Sequence, residues 1–286
     1  MIPAELDYAA PRTLAEASKL LAATPGAKLL GGGMSLIPAL KHRLVEAPLL
    51  IDLAHVAELA GVSVQRGSVR IGARTTHAEL LAHPALASLP IFAETARVIG
   101  DVQVRNRGSL GGSLAHADPA ADWPAVFLAL GGEATLASSK GRRKIAARDF
   151  FRGILTTALA EDEVLCEVEL RFATERAGAA YVKLRQPASG FAIVGVAVHL
   201  VADRKGRLEE VAVGVTGVNS VPFRAASVEA RLRGQAPDAA TLPTLCAAVD
   251  EAEPMADLHA SAEYRRHLAG VFTARAVAKA WARATA

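Results

Sequence analysis

Cysteine is scarce. Cys166 and Cys246 are the only two among 286 residues, and they lie far apart. Two thiols cannot by themselves hold an iron–sulfur cluster, and no C-x-x-C pair offers a zinc site. They read as buried free thiols in a reducing compartment. Charge of one sign is never concentrated. The net charge is +3 with no long basic block, so nucleic acid is not the partner this composition suggests. No uncharged apolar run reaches the length of a membrane span. The opening residues, MIPAELDYAAPRT, lack a basic segment leading into an apolar one. No signal peptide is expected, and the chain reads as cytoplasmic. Gly-Lys-Ser and Gly-Lys-Thr are missing, which excludes a P-loop, and no G-x-G-x-x-G marks a Rossmann fold.

What is present is a long, largely apolar chain, 51% hydrophobic, with enough length for two or three domains. Residues 1–53 read as a small α/β unit. The TLAE capping box at Thr13 and Glu16 opens a helix, AKLLG is a short strand, Ser35 is placed to cap a second helix, and PLLIDL is a buried strand. Residues 54–176 read as a mixed unit, with paired β runs at VSVQRGSVRIGA and a second capping box at Thr76 and Glu79. His77 and His83 on that helix lie six apart, the wrong spacing for two metal ligands on one face. Residues 177–286 read as an antiparallel meander, then helices at about 225–233 and 238–250, then a long closing helix suited to docking a partner. The order suggests an α+β protein in three parts.

Two glycine-rich segments stand out. LLGGGMSLIP places Gly31, Gly32 and Gly33 between a strand and a helix start. There, bare main-chain N–H groups can converge on an anion. RGSLGGSLAHADPAAD repeats the theme with Gly108, Gly111 and Gly112 beside Ser109 and Ser113. One such segment is often only a tight turn. Two can cradle one diphosphate between two domains, each supplying main-chain amides.

Together with YVKLRQPASGFAIVGVAV and SAEYRRHLAGVFTARAV, these segments resemble the FAD-binding medium subunit of molybdenum hydroxylases, the carbon monoxide dehydrogenase and xanthine dehydrogenase group. The resemblance runs in order along nearly the whole chain. It implies a three-part, non-Rossmann fold with FAD between the first two units and a C-terminal antiparallel sheet with helices. It implies cofactor contacts from Lys28, Leu29, Leu30, Gly31, Gly32, Gly33, Met34 and Ser35, and from Ser109, Leu110, Gly111, Gly112 and Ser113. Gly31 and Met34 depart from the family pattern at the first segment, where a small alanine and a polar residue are usual. It further implies Asp122 near the adenosine ribose, Leu165 packed on the flavin, Lys183 as a cation near the ring, and Phe191 shielding a ring face. The implied partners are a large subunit with the molybdenum cofactor and a small subunit with two [2Fe–2S] clusters, assembled as a dimer of heterotrimers. Electrons would reach the FAD from those clusters and leave to a quinone, dioxygen or NAD+. A self-sufficient FAD oxidoreductase and a non-enzymatic scaffold are the alternative readings.

Overall fold

The computed structural model describes residues 1–286. The first unit contains β1 (Asp7–Ala9), α1 (Leu14–Ala23), β2 (Lys28–Leu30), α2 (Leu36–Lys41) and β3 (Leu49–Asp52). The strands form a parallel sheet in the order β1-β3-β2. Thr13 and Glu16 cap α1 reciprocally. The buried face of α1, Leu14, Ala17 and Leu21, packs against Ile51 of β3 and against Ala137, Val164 and Cys166 of the second unit. The first two units therefore share one core.

The second unit runs from β4 (Val62–Gln65) and β5 (Ser68–Gly72) through the helices α3 (His77–Ala82), α4 (Pro90–Arg97), α5 (Val102–Arg107), α6 (Leu110–His116) and α7 (Trp123–Ala129). It ends in β6 (Glu133–Ser138), β7 (Gly141–Ala146), β8 (Phe151–Gly153), β9 (Thr156–Thr157) and β10 (Val164–Arg171). Its main sheet is antiparallel, β4-β5-β10-β6-β7, and β8-β9 is a separate hairpin. The second glycine segment holds the short helix α6 and is preceded by the short helix α5. Asp101 accepts from the Val104 N–H to cap α5, and Ser109 accepts from the Gly112 N–H to cap α6. These caps set the helix starts in a stretch where the apolar pattern is weak.

The third unit is an antiparallel meander of β11 (Ala177–Arg185), β12 (Ala192–Ala202), β13 (Leu208–Thr216) and β14 (Phe223–Arg224), followed by α8 (Ala226–Leu232), α9 (Leu242–Cys246) and α10 (Ala262–Ala284). Helix α9 is shorter than the periodicity of residues 238–250 suggests. Asp238 folds its carboxylate onto the Ala240 and Thr241 N–H groups and delays the start. At the other end the Arg231 guanidinium takes the Leu245 and Ala248 carbonyls. Helix α10 is also not a free docking element. Leu268, Ala269, Phe272, Ala276, Val277 and Ala280 are buried with the meander in one core.

Units two and three are joined by specific bonds. Glu94 on α4 accepts from the Tyr181 N–H at 3.0 Å and pairs with Lys279 at 2.7 Å and with Arg283. The Gly217 and Ala192 N–H groups donate to the carbonyls of Pro119 and Ala120 at 2.8 and 3.1 Å. The fold is α+β, in three sheet-based parts, with no doubly wound sheet.

Candidate functional site

The two glycine segments meet. A Cβ built on Gly32 would lie 2.7 Å from the Gly108 Cα, and one on Gly31 would lie 3.3 Å from the Ser109 hydroxyl. Beside this junction opens a cleft of about 520 Å³, lined from both segments and from the third unit. That volume lies within the range of cofactor pockets.

The first segment presents unused donors. None of the main-chain N–H groups of Gly31, Gly32, Gly33, Met34 or Ser35 donates to a protein acceptor. Gly33 holds a left-handed backbone, φ +79°, which few other residues tolerate. Ser35 stands before α2, but its hydroxyl makes no capping bond, contrary to the sequence expectation. Its φ of −107° and ψ of −46° are already helical, a geometry that does not turn the side chain back onto the helix start. The hydroxyl is thus left for a ligand.

The second segment is built differently, and the expectation of free amides there is corrected. Leu110 N–H donates to the Thr75 carbonyl at 3.0 Å and Gly111 N–H to the Ala73 carbonyl at 2.8 Å. Gly112 N–H donates to the Ser109 hydroxyl at 3.1 Å and Ser113 N–H to the Ser109 carbonyl at 3.0 Å. This segment offers hydroxyls and close approach rather than a run of donors. A Cβ on Gly111 would fall 2.4 Å from that of Ala73, so only glycine lets α6 lie against the end of β5.

Of the residues singled out from sequence, Lys28, Leu29, Gly31 to Ser35, Ser109, Gly111, Gly112, Ser113, Asp122, Leu165 and Phe191 line the cleft. Leu165 lies where a register shift in β10 interrupts its pairing with β6. Leu30 and Leu110 do not line it; both side chains are buried in apolar cores. Lys183 does not line it either. Its ammonium is buried and donates to the Asp122 carboxylate at 2.9 Å, to the Gly190 carbonyl at 2.5 Å and to the Val98 carbonyl at 3.2 Å. Protein acceptors hold it in place, so it is not a free cation at the cleft. Asp122 also accepts from the Tyr181 hydroxyl at 2.5 Å. Burial pushes the Asp122 carboxyl upward, and the Lys183 ammonium opposes that push. Burial and the Asp122 charge push the Tyr181 phenol well above its usual value, so it remains a donor.

Three cleft residues carry chemistry that sequence reading missed. His77 is buried, and its Nδ1 accepts from the Trp123 indole N–H at 3.0 Å. Burial, and to a lesser degree Arg105, pushes its imidazolium down to about 4, so the ring is neutral with its proton on Nε2. Arg74 lines the cleft, and Leu155 does so from the β8–β9 turn in a left-handed backbone, φ +52°. No sequence signal marks Arg74. Arg105, by contrast, is structural, donating to the Ile99 and Gly100 carbonyls at 2.9 and 3.1 Å.

A cleft at the meeting of an α/β lobe and a mixed lobe, lined by a segment with free amides and lacking a Rossmann fold, defines a dinucleotide-binding protein of the two-lobed kind. Two families match the chain in tandem: FAD binding domain in molybdopterin dehydrogenase over residues 4–170, and CO dehydrogenase flavoprotein C-terminal domain over residues 179–280. The chain is 37% identical to the carbon monoxide dehydrogenase medium chain of Hydrogenophaga pseudoflava, over 99% of both chains. It is 35% identical to the nicotine 6-hydroxylase medium subunit of Paenarthrobacter nicotinovorans, over 96% of this chain and 97% of that one. A solved carbon monoxide dehydrogenase from Hydrogenophaga pseudoflava, which lacks the Mo-pyranopterin moiety of its cofactor, superposes with a TM-score of 0.94 at 37% identity, covering 99% of each chain. The chain belongs to the family of FAD-binding medium subunits of molybdenum hydroxylases.

Proposed function

We propose that this chain carries electrons through FAD between a small partner subunit with two [2Fe–2S] clusters and an external acceptor. The substrate is oxidised at a molybdenum cofactor in a large partner, in a dimer of heterotrimers in the cytoplasm. The observation that carries the reading is the row of unused N–H groups from Gly31 to Ser35, facing a cleft of dinucleotide size in a chain matched by the family from end to end.

FAD, when bound, takes electrons one at a time from such clusters and delivers them to a two-electron acceptor. The chain's own residues bind and position it. The amides of Gly31 to Ser35 and the hydroxyls of Ser35, Ser109 and Ser113 would hold the diphosphate. Leu165, Leu155 and Phe191 offer apolar contact for a ring system. Phe191 is 44% exposed, surface that a stacked ring would cover. The Lys183–Asp122–Tyr181 group fixes the third unit's share of the cleft and acts through position. Cys166 and Cys246 lie in separate apolar cores, consistent with cluster ligands residing in a partner. No helix is long and apolar enough to cross a membrane.

The test is to express the chain alone and with its neighbouring reading frames. Support would be a flavin absorption band, FAD released on denaturation, and co-elution with a larger and a smaller subunit. A colourless chain that refuses FAD would overturn the flavoprotein reading. A flavoprotein that turns over substrate alone would favour the self-sufficient oxidoreductase. Anaerobic reduction followed by dioxygen, quinone or NAD+ identifies the acceptor.

A further inference from the structure

Arg74 sits two residues beyond β5 and lines the cleft, partly buried. Its Nε is buried with no hydrogen-bond partner in the protein. Two neighbouring cations are occupied, Lys183 by Asp122 and Arg105 by two carbonyls, and Lys28 enters the cleft from the first segment, on an exposed side chain. The two carboxylates in the cleft are engaged as well. Asp122 holds Lys183 and Tyr181, and Asp118 accepts from the Ala120 N–H at 2.8 Å. The rest of the guanidinium makes no hydrogen bond or ion pair within the protein either, so its fork is free to donate to a ligand in the cleft.

The backbone fixes where this cation starts. Both residues flanking Arg74 hold the second glycine segment, the Ala73 carbonyl accepting from Gly111 and the Thr75 carbonyl from Leu110. That segment has used the amides of residues 110–113 inside the protein. An anionic group lying against it must find positive charge elsewhere, and Arg74 is the charged side chain anchored beside it. A guanidinium suits this task because its planar fork donates two parallel bonds to phosphate oxygens.

We propose that Arg74 is the counter-ion of the dinucleotide's diphosphate at the second glycine segment, supplying the positive charge that this segment lacks; the assignment rests on the FAD reading above. The first segment then binds phosphate through main-chain N–H groups and the second through a side chain. The cofactor's grip becomes asymmetric: main-chain amides on one side, and serine hydroxyls with one charged side chain on the other.

The experiment measures FAD affinity of the full-length apoprotein by flavin fluorescence for wild type, Arg74→Gln and Arg74→Lys, and displacement of bound FAD by ADP. Expected are a loss of roughly tenfold or more in FAD affinity for Arg74→Gln, a parallel loss in ADP displacement, and partial retention in Arg74→Lys. Circular dichroism and the Arg74→Lys variant control for misfolding. Equal FAD affinity in wild type and Arg74→Gln would overturn the proposal. So would weakened FAD binding with unchanged ADP displacement, which would assign Arg74 to the ring, or ADP that fails to displace FAD from wild type. A wild type that binds ADP in an Arg74-dependent way but refuses FAD would sink the FAD reading and keep the anion site. Binding of neither would sink both.

Discussion

The main chains of Gly32 and Arg107 touch: a Cβ on Gly32 would lie 2.0 Å from the Arg107 carbonyl oxygen and 2.5 Å from its carbon. The obstacle is backbone, so it cannot swing aside as a flexible side chain could. This contact holds the first glycine segment against the second at the edge of the cleft.

Gly32→Ala should therefore lower stability by about 1–3 kcal/mol through overpacking and should weaken FAD binding much more than an exposed substitution does. Thermal melts and an FAD titration check both effects. Wild-type values in both would mean that the two segments can separate without consequence.

Lys183→Met should be among the most damaging single changes, costing about 3–5 kcal/mol, because it strands the buried Asp122 carboxylate. Adding Asp122→Asn to the same chain should recover a large part of that loss. Urea unfolding of the two single variants and the double variant gives the coupling directly.

His77 and His199 are both held down to about 4, chiefly by burial, and both accept a hydrogen bond through a ring nitrogen. In the unfolded chain they titrate near 6.5. Between about pH 6.5 and 4 the unfolded state thus binds protons that the folded state refuses. Stability is full above this window and falls as pH drops through it, by up to about 3 kcal/mol per histidine. Replacing either residue with Gln should flatten the acid limb of a stability–pH curve. An unchanged limb in both variants would place the acid sensitivity in other groups.

Burial pushes the thiols of Cys166 and Cys246 up to about 11. Neither should react with a disulfide reagent at pH 8 while the chain is folded, and both should react promptly in denaturant. A stoichiometric burst from the native protein would contradict this.

Much of the fold was legible because local signals agreed. The Thr13–Glu16 and Thr76–Glu79 boxes form as their sequence requires, and the alternating runs from 177 to 216 become the meander. The glycine segments announced the site, but not their unequal roles. Whether an amide is free depends on acceptors distant in sequence, such as Ala73 for Gly111, and no local pattern encodes that. The pairing of Lys183 was hidden for the same reason, since only the fold brings Asp122 next to it. The spacing of His77 and His83 in the sequence speaks only to metal binding and says nothing of what His77 contacts. Its partner is Trp123, 46 residues away.

The Lys183 ammonium grips both Asp122 and the Gly190 carbonyl, so the stretch Ser189–Phe191 belongs to the C-terminal family region yet helps shape a pocket credited to the N-terminal one. The two regions are not interchangeable parts. A hybrid grafted near residue 175 from two relatives would inherit a complete pocket only where the residues at 122 and 183 come as a matched couple.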